Sequence, residues 1–252
     1  MFSAFVRATP AEEDLLIAAL WEAGTSGVAE EPGGVRAFFE DERALHAAFR
    51  GLGREPQQIR RESDTDWVKA TQDSFPPLLI GERFYLAPPW APAAPPGRLR
   101  LEINPGMACG TGYHPCTQLC LEAMERYVSP QSTVLDVGCG SGILLAAATL
   151  LRAKIAIGCD IDAAAIEVAR ASVREPMFVG SVDAIRAGSV DVLIANISAT
   201  VTETLWAEFE RCLAGGGTLI VSGFQVGELS PEWKYTELTT KDDWACIVVR
   251  SL

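Results

Sequence analysis

The sequence contains no run of about 18 apolar residues, so no membrane-spanning helix is expected. Its start, MFSAFVRATPAEED, lacks the basic-then-apolar order of a signal peptide. Basic residues are scarce: 21 Lys and Arg face 33 Asp and Glu, for a net charge of −12. A nucleic-acid binder normally carries a basic footprint, so direct nucleic-acid contact is not expected. The acidity is compatible with a small-molecule site or a basic protein partner, and it also serves solubility. The seven cysteines are scattered and odd in number, which reads as reduced thiols in a cytoplasmic protein.

What is present suits one large domain, or an ordinary domain and a small one: 252 residues, 48% of them apolar. FSAFVRAT alternates like a strand. PAEEDLLIAALWEAG has a proline start, early acids, spaced apolar residues and a glycine stop, the pattern of a helix. TSGVAEEPGGVRAFFED reads as two strands around Pro32-Gly33-Gly34, DERALHAAFRGLG as a second helix and EPQQIRRES as a last strand. The order βαββαβ predicts a small α+β ferredoxin-like domain over residues 1–62. Residues 63–98, rich in proline and ending in APAAPPG, read as a linker with a docked middle. From residue 99 to 252, strands such as STVLDVG, KIAIGCDI and VDVLIANI alternate with helices. That alternation predicts an α/β, doubly wound, mostly parallel sheet, closed by an antiparallel hairpin in YTELTTKDDWACIVVRSL.

Gly138, Gly140 and Gly142 follow a predicted strand and open a helix, where bare backbone lets a ligand approach closely. A nicotinamide-binding turn would read G-x-G-x-x-G and hold a pyrophosphate. Here the order is G-x-G-x-G with Asp136 just ahead, and an acid there repels a pyrophosphate but suits a cation. Asp160 closes the next strand, 22 residues after Gly138, where an acid accepts both hydroxyls of a ribose. A ligand with a ribose, a positive charge and no phosphate is S-adenosylmethionine. Cys109, His114, Cys116 and Cys120 cluster in sequence but lack the paired spacing of a zinc site, so no metal is expected.

LDVGCGSGIL, GCDID and VLIANI resemble a class I methyltransferase, a Rossmann-like fold. Upstream, NPGMACGTGYHPCTQLCLE resembles the signature of the ribosomal protein L11 methyltransferases, roughly D-P-G-x-A-F-G-T-G-x-H-x-T-T. IGERFYLAPPW and the small N-terminal domain extend the resemblance over nearly the full length. It implies methylation of protein amino groups, the N-terminal amine and lysines, on the large-subunit stalk-base protein. It also implies that residues 1–62 grip this basic substrate. The enzyme is expected to be a cytoplasmic monomer. Carried over by position, Thr117, Gly138, Asp160 and Asn196 are cofactor contacts. Independently of the resemblance, Asn196 is expected to serve catalysis by accepting a hydrogen bond from the amine and aiming its lone pair at the methyl. Gly140, Gly142 and Thr111 shape the same wall. Ser181 or Asp183, in VGSVDAI, would meet the adenine amino group. The chain departs from the signature at Cys109, in place of an aromatic, and at Cys116, in place of a threonine.

Two other readings use the same residues. One is methylation of a nucleic acid or small molecule, although the N-P-P-[YFW] motif of base-amine methyltransferases is missing. The other is a non-catalytic adaptor that keeps the fold.

Overall fold

A computed structural model describes residues 1–9, 12, 16–17, 19–21, 23–62, 75–103 and 112–250. The chain divides into two compact units, Met1–Ser74 and Phe75–Leu252.

The first unit is an antiparallel sheet of β1 (Phe2–Arg7), β2 (Gly27–Glu31), β3 (Gly34–Phe39) and β4 (Gln57–Arg61), in the order β2-β3-β1-β4. Helix α1 (Glu42–Leu52) lies between β3 and β4 in the chain, and residues 16–17 and 19–21 are helical. Asp41 caps α1 by accepting from Ala44 N at 2.8 Å, and Gly53 ends it at φ 61°. Leu45, Ala48 and Phe49 pack with Ala4, Val6, Val35, Ala37 and Phe39, the inward-pointing set of alternate strand residues. This is the ferredoxin-like arrangement predicted from the order of elements.

The second unit begins with a three-stranded sheet, β5 (Leu78–Ile80), β6 (Phe84–Ala87) and β7 (Leu99–Glu102). Residues 75–98, read in the sequence as the later part of a connection with a docked middle, thus carry two of its strands. The Glu125 carboxylate accepts from the backbone N–H groups of Glu82, Arg83 and Phe84 at 2.8, 2.8 and 3.2 Å, tying the β5–β6 turn to helix α2 (Pro115–Tyr127). Arg100 donates to the carbonyls of Pro88 and Pro92, both at 2.6 Å, and so gathers the proline-rich loop.

The main sheet follows. Its elements are β8 (Thr133–Val137), α3 (Ile143–Leu150), β9 (Ile155–Asp160), α4 (Ala163–Ser172), β10 (Met177–Val179), β11 (Val190–Asn196), α5 (Ala199–Cys212), β12 (Leu213–Gln225), β13 (Glu237–Lys241) and β14 (Trp244–Arg250). The strand order is β10-β9-β8-β11-β12-β14-β13. The first five run parallel, and β14 and β13 are antiparallel to their neighbours. Period-two patterning sends alternate residues to two cores. Val134, Val192, Ile194, Ile220 and Val248 join α2, α3 and α4 on one face. Leu135, Val137, Leu193, Ala195, Leu219, Val221 and Ile247 join Phe209 and Cys212 of α5 on the other. Each fully buried Leu, Ile or Val contributes roughly 1.5–3 kcal/mol. This doubly wound, Rossmann-like α/β sheet is the predicted fold class. No described helix is long and apolar enough to cross a membrane.

Candidate active site at the strand switch point

The chain winds outward from β8 through β9 to β10, then returns to add β11 and β12 on the other side of β8. Where winding reverses, the helices that follow β8 and β11 pack on opposite faces, and in open α/β sheets ligands bind at the carboxyl ends of the strands at such a point. The expected site residues sit on the elements that border this switch point.

Gly138, Gly140 and Gly142 adopt φ of 71°, 49° and 76°, the left-handed region that glycine reaches without a Cβ clash. Gly138 N and Cys139 N both donate to Cys159 O, at 2.8 and 3.1 Å, folding the turn back over the end of β9. A Cβ on Gly138 would stand 2.5 Å from Ile197 Cγ2, the residue after Asn196. The turn is therefore bare for two reasons: its backbone conformation, and the close passage of the β11 end.

Asp160 is the hub of the β9 end. Its Oδ2 accepts from Gly140 N at 3.0 Å and its Oδ1 from Asp162 N at 3.0 Å. Each oxygen keeps a lone pair. Asp160 O also accepts from Gly180 N at 2.9 Å, which brings the 180–184 turn to the same wall. In that turn Ser181 is half-buried and Asp183 is exposed.

Asp136 is 1% exposed, and neither carboxylate oxygen has a hydrogen-bond partner. Burial, and next the charge of Asp160, push its pKa from 3.8 up to about 7. A buried carboxylate without a partner is costly, and a nearby positive charge would relieve it.

Thr117 and Asn196 come together. Asn196 ends β11, Thr117 lies in the first turn of α2 with 2% exposure, and Asn196 Nδ2 donates to Thr117 Oγ1 at 3.3 Å. His114 is the N-cap of α2: its Nδ1 accepts from Cys116 N at 3.3 Å, and its ring meets Trp244 edge-on at 4.5 Å. Thr111, and Cys109 with it, lie outside the described residues.

Three neighbours of the site were not read from the sequence. Ile161, between Asp160 and Asp162, is 81% exposed, an apolar side chain left in water just past the end of β9. Its only signal was its place in GCDID. Ile197 packs on Gly138, and its own backbone lies 2.4–2.7 Å from where a Gly223 Cβ would stand. Trp244 reaches His114 from the terminal hairpin, a pairing that no local pattern announces.

The thiols beside the turn are buried, and burial pushes Cys139 far up and Cys159 to about 12. They are unreactive neutral side chains at neutral pH. Among the described residues no three His, Cys, Asp or Glu side chains gather as metal ligands.

The family described as ribosomal protein L11 methyltransferase (PrmA) matches residues 28–251. A ribosomal protein L11 methyltransferase of Cupriavidus necator is 36% identical over 214 residues, covering 80% of this chain and 71% of that one. One from Burkholderia cenocepacia is 38% identical over 208 residues, 78% and 69% of the two chains. The crystal structure of a ribosomal protein L11 methylase from Lactobacillus delbrueckii subsp. bulgaricus superposes with a TM-score of 0.61 at 25% identity, covering 70% of this chain and 99% of that one. With the family matching from the second strand to the last, the chain belongs to the ribosomal protein L11 methyltransferase (PrmA) family.

Proposed function

We propose that the protein transfers methyl groups from S-adenosylmethionine to amino groups of ribosomal protein L11, the N-terminal amine and lysine side chains. The observation that carries this reading is the conjunction at the switch point: a bare glycine turn, a partnerless buried carboxylate at Asp136, and an Asn196–Thr117 pair.

The orphaned Asp136 carboxylate fits a cationic ligand and disfavours a pyrophosphate. Asp160, with a lone pair left on each oxygen, receives the ribose hydroxyls. Ile161 offers an apolar face to the adenine ring, and Ser181 or Asp183 its polar edge. Gly138, Gly140 and Gly142 form the wall that the cofactor lies against.

The bound cofactor supplies a methyl group already activated on a sulfonium. What the chain provides is placement, worth much of the barrier when reacting atoms are held in line. With Nδ2 donating to Thr117, the Asn196 amide has Oδ1 left to accept from the acceptor amine, directing the nitrogen lone pair. The amine must first lose a proton. At neutral pH that costs roughly 4–5 kcal/mol for a lysine of pKa about 10.4, and about 1 kcal/mol for an α-amine of pKa about 7.7–8.0. Desolvation beside a sulfonium lowers both costs, so no dedicated base is required. The N-terminal unit grips the basic protein acceptor, and the enzyme acts as a cytoplasmic monomer.

The test is incubation of the purified protein with labelled S-adenosylmethionine and a bacterial lysate. Label in a small basic ribosomal protein supports the reading. Label in RNA or in low-mass material overturns the acceptor, and failure to bind S-adenosylmethionine favours an adaptor.

A further inference from the structure

The hairpin β13–β14 touches the start of α2 on either side of Thr117 in the sequence. On one side the Trp244 ring lies edge-on to His114 at 4.5 Å and 74°. On the other, Lys241 at the end of β13 donates from Nζ to Gln118 Oε1. Gln118 is 8% exposed, and its Nε2 donates to Tyr113 O at 2.6 Å. The amide is thus held at both ends, by the hairpin and by the loop that precedes the helix. The same loop is anchored elsewhere: Tyr113 OH donates to Pro76 O at 2.7 Å, and the Phe75 and Tyr113 rings pack edge to face at 5.5 Å. The backbone N–H groups of Thr117 and Gln118 converge on His114 O, at 3.0 and 3.2 Å. Thr117 is therefore suspended between two residues that the hairpin touches.

Lys241 makes no ion pair among the described residues, although Asp242 and Asp243 follow it in the turn. An ammonium spent on a neutral amide points to a requirement of the amide. A buried glutamine needs both its donor and its acceptor satisfied. Without the ammonium, Oε1 must seek another partner, and any rotation of the amide loosens Tyr113 O and shifts the first turn of α2. That turn carries the Thr117 hydroxyl against which Asn196 is set.

We propose that Lys241, acting through Gln118, is a positioning residue that sets the Thr117–Asn196 pair for methyl transfer. This rests on the methyl-transfer reading above. The residue after Thr117 and the tip of the terminal hairpin are thereby one functional unit, although 123 positions separate them in the chain.

The test compares wild type with Lys241→Met, Gln118→Leu, the double variant and Lys241→Arg, in the full chain with purified L11. Lys241→Met should lower kcat about 5- to 20-fold, a smaller penalty than a full ångström of misplacement brings, and leave the cofactor KM within about twofold. The melting temperature should stay close to that of wild type. Gln118→Leu should match Lys241→Met, the double variant should be no worse than either, and Lys241→Arg should recover most of the rate. In the cofactor-free protein, the amides of Cys116 and Thr117 should exchange hydrogen faster in Lys241→Met than in wild type. Unchanged kcat, a loss of kcat that tracks melting temperature, multiplicative effects in the double variant, or unchanged exchange would each overturn the proposal. Absence of L11 methylation by wild type would instead sink the methyl-transfer reading, and the exchange measurement would still decide the positioning claim.

Discussion

Asn196 Nδ2 donates to Thr117 Oγ1 at 3.3 Å, joining the end of β11 to the first turn of α2. The bond orients a half-buried amide that otherwise has two equivalent placements. Replacing Thr117 by Val removes the acceptor while keeping the shape. We expect kcat to fall roughly 10- to 100-fold and cofactor affinity to change much less. Asn196→Ala should cost roughly 100-fold or more in kcat, the range seen when a positioned polar group at a reacting centre is lost. Steady-state kinetics on L11 separate the two parameters, and near-normal turnover of Asn196→Ala would remove the residue from the mechanism.

With Asp136 facing the cofactor as proposed, cofactor binding should depend on pH. Its pKa stands at about 7 in the free protein because it is buried near Asp160. A cationic ligand favours the ionised form and lowers that value. Below pH 7, binding therefore requires loss of a proton from Asp136. Affinity should fall as pH drops from 7, approaching tenfold per unit, and binding should release close to one proton at pH 6. Titration calorimetry in buffers of differing ionisation heat measures both. Asp136→Asn should bind the cofactor more weakly at pH 8 and lose this pH dependence.

The same carboxylate affects stability with the opposite sign. Its folded pKa is raised, so between pH 3.8 and about 7 the folded state holds a proton that the unfolded state has lost. The stability this provides is full below the unfolded value and gone above 7. At pH 8 the buried charge is a liability of at most about 4 kcal/mol, at about 1.36 kcal/mol per unit. Asp136→Asn should melt higher than wild type at pH 8, with the gap narrowing towards pH 5. An equal gap at both values would contradict the assignment.

At Gly138, φ is 71° and a Cβ would lie 2.5 Å from Ile197 Cγ2. Gly138→Ala should destabilise the fold by roughly 1–3 kcal/mol through strain and crowding, and should abolish detectable cofactor binding. Adding Ile197→Ala relieves the crowding but not the backbone strain. Part of the stability should return, as read by thermal melting.

Glu125 accepts from three consecutive backbone N–H groups of the β5–β6 turn. Its replacement by Ala frees them together, at a cost of about 1–2 kcal/mol because the turn is partly exposed to water. The second unit should melt a few degrees lower, with the cofactor affinity of the folded protein retained.

The main sheet is legible in the sequence because its strands are buried on both faces and its helices are amphipathic. VLDV, IAIGCD and VLIAN are near-continuous apolar runs, and the glycine turn punctuates the first of them. Asp160 and Asn196 are legible for the same reason, since both end such a run. The partnership of Thr117 with Asn196 is not, because 79 positions separate them and only the docking of α2 brings them together. Asp136 reads as a charge but not as a raised pKa, which depends on burial that only packing supplies. Ile161 hides in a motif dominated by acids. Its exposure of 81% marks it out only once the neighbouring apolar residues are seen to be covered. Glu125 and Lys241 follow no local pattern, since each serves backbone or side chains contributed by a distant element.

Transfer of methyl groups to L11 at a site arranged by Asn196 can be read directly in the acceptor's mass. Intact-mass measurement of purified L11, incubated with S-adenosylmethionine and either wild type or Asn196→Ala, tests it most directly. Discrete methyl additions on amino groups are expected with wild type, and few or none with the variant at the same time. Unmodified L11 with wild type, or equal modification by both proteins, would contradict it.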